Sequence, residues 1–325
     1  MRILSRQDIE ALISMGDVIV VMEEVFAALA RGEALVPERT VLSLQGTDNS
    51  ILFMPGYLVK SGGVGLKAVS VFPSNLAHDI PTISAQILLC DSETGETKAI
   101  LEGVYITALR TAATTAVATK YLAPTEAQSL GVFGAGVQAR SQVESHLAVR
   151  SLKRITVYDP DRQRVAALLA HVQSLVGGKC ECAAAGSPAE VLATSEIIVT
   201  ATTSRTPVFE GRSVREGTHI NAIGSFKPDV REVDDTTMSR SRIFVDSYEH
   251  ALKEAGDLII PMKSGIIDRR DIRAELGELI LGRKKGRERA DEITLFKSVG
   301  MAVQDIAVAE VVYRKACERN LGLVV

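Results

Sequence analysis

The sequence predicts an α/β protein of two domains, one of which is built on a doubly wound parallel sheet. The first observation is size: the chain has 325 residues, 46% of them hydrophobic, and one hydrophobic core seldom organises so long a chain. The second observation is order. From about residue 129 onward, short apolar runs alternate with segments of helical periodicity, which is typical of parallel strands with helices packed on both faces.

The first part of the chain predicts a separate α+β domain. Residues 5–31 carry apolar side chains at helical spacing and Gly32 supplies a stop, so one helix is expected there. An Ala/Thr-rich helix is expected over residues 104–122, before Pro124. Between these helices, turn residues separate β-rich runs that predict antiparallel strands, at Thr40–Leu44, Ser50–Met54, Gly65–Phe72 and Ile83–Cys90.

The order of elements after residue 124 predicts the parallel sheet. Its strands are expected at Ser129–Phe133, Arg154–Tyr158, Ile197–Ala201, His219–Ile223 and Ile243–Val245. Helices are expected at Gln138–Val149 and Gln163–Val176, and a last helix over 297–317 should pack back on the first domain. We therefore predict a first domain of residues 1–120 with 299–325, and a second domain of residues 121–298.

Composition argues against several classes of protein. A formal net charge of −3 provides no electrostatic attraction to DNA, RNA or an anionic membrane. No stretch of about 18 uncharged apolar residues is present, and the first residues lack the pattern of a signal peptide. The cysteines (Cys90, Cys180, Cys182 and Cys317) show no C-x-x-C spacing. We therefore expect no metal site and a reducing, cytoplasmic location.

The segment GAGVQA, which begins at Gly134, matches the dinucleotide fingerprint G-x-G-x-x-G/A. The first glycine makes a tight turn, and the second lets the backbone approach a pyrophosphate. The helix that begins there directs unpaired N–H groups at the phosphates. Because the segment lies between a predicted strand and a predicted helix, it indicates a Rossmann domain. The residues expected to contact the dinucleotide are Gly134, Ala135, Gly136, Val137 and Gln138.

Asp159 ends the strand after the fingerprint, where a carboxylate can accept both ribose hydroxyls and repels a 2′-phosphate. We therefore expect NAD(H) as cofactor, with NADP(H) the less favoured choice. Arg162 follows three residues later and has two interpretations. It could pair with a 2′-phosphate as a cofactor residue, or it could be a solvated residue in the first turn of a helix.

Several further segments, taken together, resemble one family over residues 5–320. They are Pro81-Thr82, Asp91–Gly95, Gly103–Ala113 with Arg110-Thr111 inside it, Thr218–Ser225, and Leu295–Gly300 followed by Gln304-Asp305. In order and spacing they resemble the ornithine cyclodeaminase/mu-crystallin family. That family includes ornithine and lysine cyclodeaminases, alanine dehydrogenases, and reductases of cyclic or linear imino acids. The resemblance implies a homodimer formed through the β-rich domain, and an active site between that domain and the Rossmann domain.

Three cations match the family's residues for the substrate carboxylate: Arg39, Lys67 and Arg110. The match agrees with physical chemistry, because a guanidinium can grip both oxygens of a carboxylate. Lys67, crowded by two arginines and partly desolvated, should have a disfavoured charged form and could also move a proton. Thr82 either orients the substrate or belongs to a turn. Asp229 is the alternative proton donor, or else a turn or salt-bridge residue.

The resemblance also implies roles for residues outside the fingerprint. Thr111 is expected near the pyrophosphate and the loop Ala201, Thr202 and Thr203 near the adenosine. Four backbone positions are expected near the nicotinamide, namely Ile223, Gly224, Val299 and Gly300. Asp305 is expected in the middle of a helix as an anchor for other residues. His219 is interpreted as structural, and the run Arg283–Arg289 as a solvated helix.

Two departures from the family pattern favour one branch of it. Leu52 stands where ornithine cyclodeaminases carry a glutamate, and Phe226 stands where they carry an aspartate. Apolar residues at both places cannot satisfy a cationic side chain. We therefore expect an oxidoreductase that acts on the Cα–N bond of a small amino or imino acid, as an imine reductase or an alanine-dehydrogenase-type enzyme. The alternatives are ornithine cyclodeaminase and a mu-crystallin-like binding protein with little turnover.

Overall fold

The structure is a computed structural model that describes residues 1–78 and 80–325, and it divides the chain into two compact units. The first unit is Met1–Arg110 with Gly300–Val325, and the second is Thr111–Val299. This division falls ten residues before the sequence-based boundary at residue 120, inside a long helix. The later part of that helix makes its hydrogen bonds within the second unit, where the Thr119 hydroxyl lies 3.0 Å from His146 Nε2.

Strands and helices are numbered along the chain. The strands are β1 (Arg2–Leu4), β2 (Ala34–Leu35), β3 (Thr40–Ser43), β4 (Ser50–Leu58), β5 (Gly63–Val71), β6 (Ile83–Cys90), β7 (Thr97–Glu102), β8 (Ser129–Phe133), β9 (Arg154–Tyr158), β10 (Glu181–Ala184), β11 (Ile197–Thr200), β12 (His219–Ala222), β13 (Ser241–Val245), β14 (Ile272–Glu275), β15 (Ile293–Lys297) and β16 (Leu323–Val324). The helices are α1 (Arg6–Leu12), α2 (Met15–Arg31), α3 (Gly103–Leu122), α4 (Val137–Val149), α5 (Arg162–Val176), α6 (Pro188–Thr194), α7 (Asp235–Arg240), α8 (Tyr248–Glu254), α9 (Gly256–Lys263), α10 (Leu276–Ile280) and α11 (Ala302–Arg319). None of the helices within the described ranges is both long enough and apolar enough to cross a membrane.

The first unit is organised around a mixed sheet in the order β16-β1-β7-β6-β5-β4-β2, with β3 also paired to β4. The β-rich runs predicted from the sequence form β3 to β6 and pair antiparallel, as expected. Strand β1 pairs parallel with β7, which the sequence did not indicate. Helix α11 packs on β4, β5 and β6, so the late helix does belong to the first unit.

The two faces of this sheet differ. Because side chains alternate along a strand, β4, β6 and β7 present one buried row, which is Leu52, Met54, Ile87, Leu89 and Leu101. The other face keeps apolar side chains partly exposed, namely Phe53, Pro55, Tyr57, Leu66 and Leu88. Their pairing aligns Pro55 with Leu66 and Leu66 with Leu88, so they form a continuous apolar surface, called here the outer face.

The second unit contains a parallel sheet in the order β10-β9-β8-β11-β12-β15-β13-β14. The strand order reverses between β8 and β11. From β8 the chain continues to β9 and β10 on one side of the sheet, and from β11 it continues to β12 and the later strands on the other side. In such sheets the carboxyl ends of the strands at the reversal form the ligand-binding edge. The strands predicted at Ser129–Phe133 and Arg154–Tyr158 are confirmed residue for residue.

The single helix predicted over residues 5–31 is wrong, because the chain forms α1 and α2 with a break between them. Ile13 is extended, and Ser14 caps the second helix by accepting a hydrogen bond from the Asp17 N–H. Ser5 and Asp8 form the same reciprocal arrangement at the first helix. A serine followed three residues later by an acidic residue satisfies two backbone donors and begins a new helix.

The late segments also differ from the sequence-based prediction. Residues 293–297 form strand β15, and the last helix begins at Ala302 rather than at residue 297. Asp305 therefore lies in the first turn of α11 and not in its middle. The run Arg283–Arg289 is not a helix. Within it, Arg287 is not solvated as expected, because its Nε donates to the Leu122 carbonyl at 2.8 Å.

Candidate functional site

A buried cluster of charged side chains lies in the first unit. Lys67, on β5, is 2% exposed, and its Nζ donates to Asp305 Oδ2 at 2.7 Å. Arg110, on α3, is 6% exposed, and its Nε donates to Asp305 Oδ1 at 3.1 Å. The Thr107 hydroxyl donates to the same oxygen at 3.1 Å. One fully buried carboxylate at the start of α11 therefore binds two cations that lie far apart in the sequence.

Arg39 is brought to this cluster by the segment that precedes α11. Its Nη2 donates to the Gly300 carbonyl at 2.7 Å. Gly300 has a φ of +78°, a conformation that side-chain-bearing residues rarely adopt, and a Cβ there would overlap the Arg110 guanidinium. The structure thus places Gly300 between the two arginines, and a glycine is required at this position. The three predicted substrate cations occupy one site.

Burial controls the charge of this site. Desolvation is the main cause that lowers the pKa of Lys67 to about 8, and the charges of Arg110 and Arg39 lower it further, while Asp305 opposes them. The expected lowering of the Lys67 pKa is confirmed. Burial by itself would raise the pKa of the Asp305 carboxyl, but Arg110 and Lys67 outweigh it and lower that pKa. Three cationic groups around one carboxylate favour the binding of a second, external carboxylate.

The remaining substrate candidates lie elsewhere. Thr82 directly precedes β6, and its backbone carbonyl accepts a hydrogen bond from the Phe72 N–H at 2.8 Å. Asp229 lies in the second unit and forms an exposed ion pair with Arg205 Nη2 at 3.0 Å. These contacts do not test the predicted roles of Thr82 and Asp229, which stay predictions.

The turn after β8 fits a dinucleotide. Gly134 has a φ of +98°, and a Cβ there would overlap the Ala201 carbonyl, so the turn requires glycine. Gly136 caps α4 without any side-chain hydrogen bond to the helix N–H groups. A Cβ at Gly136 would meet nothing within 4 Å. The helix N-terminus therefore faces open space into which a pyrophosphate fits. Next to it, Val137 is 65% exposed and Gln138 is half-buried.

The carboxylate of Asp159 is held in place at the end of β9. Its Oδ2 accepts the Ala135 N–H at 2.9 Å, and its Oδ1 accepts the Asp161 N–H at 2.8 Å. It is thereby tied to the glycine turn on the neighbouring strand. Arg162 begins α5, and its guanidinium donates to the carbonyls of Ala185 at 2.6 Å and Gly186 at 3.2 Å. Arg162 is nevertheless exposed in the first turn of α5, which agrees with its interpretation as a solvated residue, and a cofactor role for it stays a prediction.

Most of the other cofactor candidates come directly after strands that end at the same edge of the sheet. Ala201, Thr202 and Thr203 follow β11, and Ile223 and Gly224 follow β12. The Val299 N–H follows β15 and donates to Asp246 Oδ2 at 2.8 Å. Thr111 is half-buried on α3. His219 is buried, and its Nδ1 lies 3.0 Å from the Thr294 hydroxyl, which agrees with a structural role.

Sequence reasoning missed a group of buried charges at this edge, formed by Glu232, Asp257 and Lys297. Lys297 Nζ lies 2.8 Å from Asp257 Oδ2, and both side chains are fully buried. Glu232 stands in a polar stretch, whereas Asp257 and Lys297 border apolar runs, and in none of the three does the sequence show which residues meet. Within residues 1–78 and 80–325, no three His, Cys, Asp or Glu side chains group so as to hold a metal ion.

Comparison with known proteins places this geometry in a family. The chain is 38% identical over 328 residues to the Delta(1)-pyrroline-2-carboxylate reductase of Bacillus cereus (strain ZK / E33L), covering 99% of this chain and 98% of that protein. It is similar to the structure of the Thermococcus litoralis Delta(1)-pyrroline-2-carboxylate reductase in complex with NADH and L-proline, with 44% identity, full coverage of both chains and a TM-score of 0.97.

A second solved structure is an archaeal alanine dehydrogenase dimer with bound NAD, 34% identical to this chain, with coverage of 99% and 98% and a TM-score of 0.93. The family model of the ornithine cyclodeaminase/mu-crystallin family matches residues 1–320. The chain therefore belongs to the ornithine cyclodeaminase/mu-crystallin family.

Proposed function

We propose that this protein is an NAD(H)-dependent reductase of a small cyclic imino acid such as Δ1-pyrroline-2-carboxylate, with L-proline as the product. The observation that carries the proposal is the buried cluster of Lys67, Arg110 and Asp305 with Arg39 beside it. The relatives that act on pyrroline-2-carboxylate and bind NADH with proline support the same substrate class. Bound NADH supplies the hydride for the imine carbon.

Arg39 and Arg110 bind the substrate carboxylate in this proposal. Both lie at the Gly300 turn, and a guanidinium can bind both oxygens of an α-carboxylate. Holding the carboxylate at two points fixes the neighbouring C=N bond, so that hydride transfer occurs from one aligned geometry. Thr82 is retained as a further candidate for orienting the substrate.

Lys67 donates the proton to the imine nitrogen. Reduction of C=N adds a hydride to carbon and a proton to nitrogen, so an acid is needed close to the carboxylate site. A pKa near 8 leaves Lys67 mostly protonated at neutral pH and makes it a better acid than an ordinary lysine. Asp229 is the alternative donor, although it is exposed and pairs with Arg205.

The second unit holds the dinucleotide through residues 134–138, Thr111 and the loops at 201–203 and 223–224, with Val299 as a further contact. Asp159, positioned by two backbone N–H groups, accepts the ribose hydroxyls and disfavours a 2′-phosphate. NAD(H) is accordingly the preferred cofactor. Arg162 is kept as a weaker candidate at the same ribose.

The side chains around Lys67 favour an uncharged ring over a cationic substrate. Met54 lies opposite Lys67 on the paired strands, and Leu52 lies opposite Val69. Leu52 and Met54 are 5% exposed, so an ammonium group on the substrate would lose its hydration without gaining a partner. This argues against ornithine cyclisation. Reductive amination of pyruvate is the second candidate, because the archaeal alanine dehydrogenase is also a relative of high coverage.

A homodimer formed through the outer face is also proposed. Phe53, Pro55, Tyr57, Leu66 and Leu88 make an apolar surface larger than scattered exposed residues, and such surfaces mark association sites. The alanine dehydrogenase relative is a dimer, which supports two copies of this chain as the occupants. A cytoplasmic location is retained as a proposal from the cysteine pattern alone.

The proposed reaction is tested by the loss of NADH absorbance with a panel of substrates. We expect the highest kcat/KM with Δ1-pyrroline-2-carboxylate or piperideine-2-carboxylate, and lower values with pyruvate or oxaloacetate plus ammonia. Ornithine with catalytic NAD should yield no proline, since Leu52 cannot hold its ammonium group. The proposal would be contradicted if no member of the panel supported NADH oxidation. It would also be contradicted if ornithine gave stoichiometric proline and ammonia.

Substitution of Lys67 separates its two roles. Lys67→Arg keeps the positive charge but cannot release a proton at neutral pH, so kcat should fall by about 10²–10⁴, as for other general acids. Arg39→Ala and Arg110→Ala should instead raise KM, because each removes a charged hydrogen bond made to bound substrate. Steady-state kinetics of all three variants measures this difference.

Lys98→Arg is the matched control, since Lys98 also lies in the first unit and pairs with Glu310 at 2.9 Å, yet belongs to no proposed site. In the wild type, kcat/KM for reduction should fall as pH rises through about 8, where Lys67 loses its proton. Near-normal kcat in Lys67→Arg would make Lys67 a carboxylate ligand only and leave Asp229 or water as the donor.

The NAD(H) preference is tested with Asp159→Ala. The variant should bind NADH about tenfold more weakly while binding NADPH as well as or better than the wild type, because the carboxylate that repels a 2′-phosphate is gone. Asp161→Ala is the control, since Asp161 caps α5 two residues away and should not alter the preference. Dissociation constants from NADH and NADPH fluorescence provide the measurement. A tenfold wild-type preference for NADPH would refute the role of Asp159.

The dimer is tested with Leu66→Asp, which places a charge at the centre of the outer face. Light scattering after size exclusion should give the mass of a dimer for the wild type and of a monomer for the variant. Val20→Asp is the control, because Val20 is an apolar residue on α2 that is 55% exposed and lies outside this face. A dimeric Leu66→Asp protein would show that the copies associate through another surface.

A further inference from the structure

Glu232 is a fully buried carboxylate at the carboxyl edge of the second unit's sheet. Its Oε1 accepts the Thr202 N–H and the Thr202 hydroxyl, each at 2.8 Å. Its Oε2 accepts the Gly224 N–H at 2.6 Å and the Thr200 hydroxyl at 2.8 Å. One oxygen therefore holds the loop after β11, and the other holds the end of β11 and the loop after β12.

We propose that Glu232 is a positioning residue that sets the spacing of the two loops for the dinucleotide. The inference rests on the proposed function, because it takes the loops at 201–203 and 223–224 as dinucleotide contacts. Strands β11 and β12 are adjacent and parallel, and a backbone hydrogen bond from the Ile223 N–H to the Thr200 carbonyl, at 3.1 Å, continues their ladder to the start of the second loop. Beyond that bond, the two oxygens of Glu232 link Thr202 to Gly224.

The backbone at Glu232 is itself held by further buried groups. Asp257 Oδ1 accepts the Glu232 N–H at 2.7 Å and the Val233 N–H at 3.1 Å. Lys297 Nζ, at the end of β15, lies 2.8 Å from Asp257 Oδ2 and donates to the Ser225 carbonyl at 2.6 Å. The ends of β11, β12 and β15 are thus joined through one charged cluster, and Glu232 is the member that faces the two loops.

The hydrogen-bond donors around the Glu232 side chain require a carboxylate. All four contacts to Glu232 come from N–H or O–H groups of Thr200, Thr202 and Gly224, and two of these are backbone N–H groups, which only donate. Burial and the nearby Asp257 raise the pKa of the Glu232 carboxyl, while Lys297 and the Thr202 donors oppose this rise. A glutamine in place of Glu232 would turn an N–H group against one of the two backbone donors, whichever way its amide pointed.

The chain contains a matched control at the opposite edge of the same sheet. Glu196 precedes β11, and its Oε2 accepts the Gln128 N–H at 2.9 Å, the Ser129 N–H at 3.1 Å and the Ser129 hydroxyl at 2.8 Å. It also joins neighbouring strands through backbone N–H and hydroxyl donors, but at the amino ends, away from the proposed dinucleotide loops. All three donors meet the same oxygen, so the amide oxygen of a glutamine can accept them, and Glu196→Gln measures the loss of a carboxylate charge without touching those loops.

The experiment compares wild type, Glu232→Gln and Glu196→Gln in NADH fluorescence titrations, thermal unfolding and steady-state kinetics. We expect Glu232→Gln to lose thermal stability and to raise the NADH dissociation constant, by about tenfold or more as for loss of a charged hydrogen bond, whereas Glu196→Gln should leave that dissociation constant unchanged. The KM of Glu232→Gln for NADH should rise, and its KM for the imino acid should not. A change of pH should not restore the NADH affinity of Glu232→Gln, at any pH at which the protein stays folded.

The outcomes separate this proposal from the function on which it rests. If the wild type does not bind NADH, both the proposed function and the role of Glu232 fail. If the wild type binds NADH and Glu232→Gln binds it equally well, or if Glu196→Gln weakens it as much, only the positioning role is refuted. Should Glu232→Gln not fold, Glu232→Asp takes its place, because it keeps the charge but is too short to reach both loops, and the same criteria apply.

Discussion

The first unit depends on the buried carboxylate of Asp305. Removing a lysine and an arginine from water costs several kcal/mol for each charge unless an opposite charge and hydrogen bonds replace the solvent. Asp305 provides both for Lys67 and Arg110, at 2.7 and 3.1 Å. Desolvation of Lys67 still dominates its pKa, and the charges of Arg110 and Arg39 add to that lowering. The result is a lysine whose pKa is lowered but whose position is fixed, which suits a group that both binds a carboxylate and releases a proton.

The Gly300 turn links this electrostatic arrangement to the backbone. The chain leaves β15, passes through the segment anchored by Asp246 at Val299, and enters α11 with a positive φ at Gly300. That turn directs the Gly300 carbonyl to Arg39 and leaves room for the Arg110 guanidinium. The same turn delays the start of α11 to Ala302, which places Asp305 in its first turn. The backbone conformation at Gly300 therefore brings Arg39 and Arg110 to the same site.

In the second unit, carboxylates perform a different task. Asp159, Glu232 and Asp246 each accept backbone N–H groups at the carboxyl ends of strands. Loops beyond a sheet lack the ladder that orders strands, and an anionic acceptor with two oxygens can replace it. These three residues give the edge that carries the glycine turn a defined shape.

The sequence by itself determined the elements whose signals are local. Buried parallel strands are continuous apolar runs, so Ser129–Phe133 and Arg154–Tyr158 could be assigned residue for residue, and the glycine turn and Asp159 followed from spacing. The family resemblance identified the cations expected to bind the substrate, which are Arg39, Lys67 and Arg110. Only the tertiary structure decided that Asp305, 238 residues from Lys67, is its partner, and that Glu232 is buried between two loops. Burial and ion pairing depend on residues distant in the chain, so no local pattern around either carboxylate could indicate them.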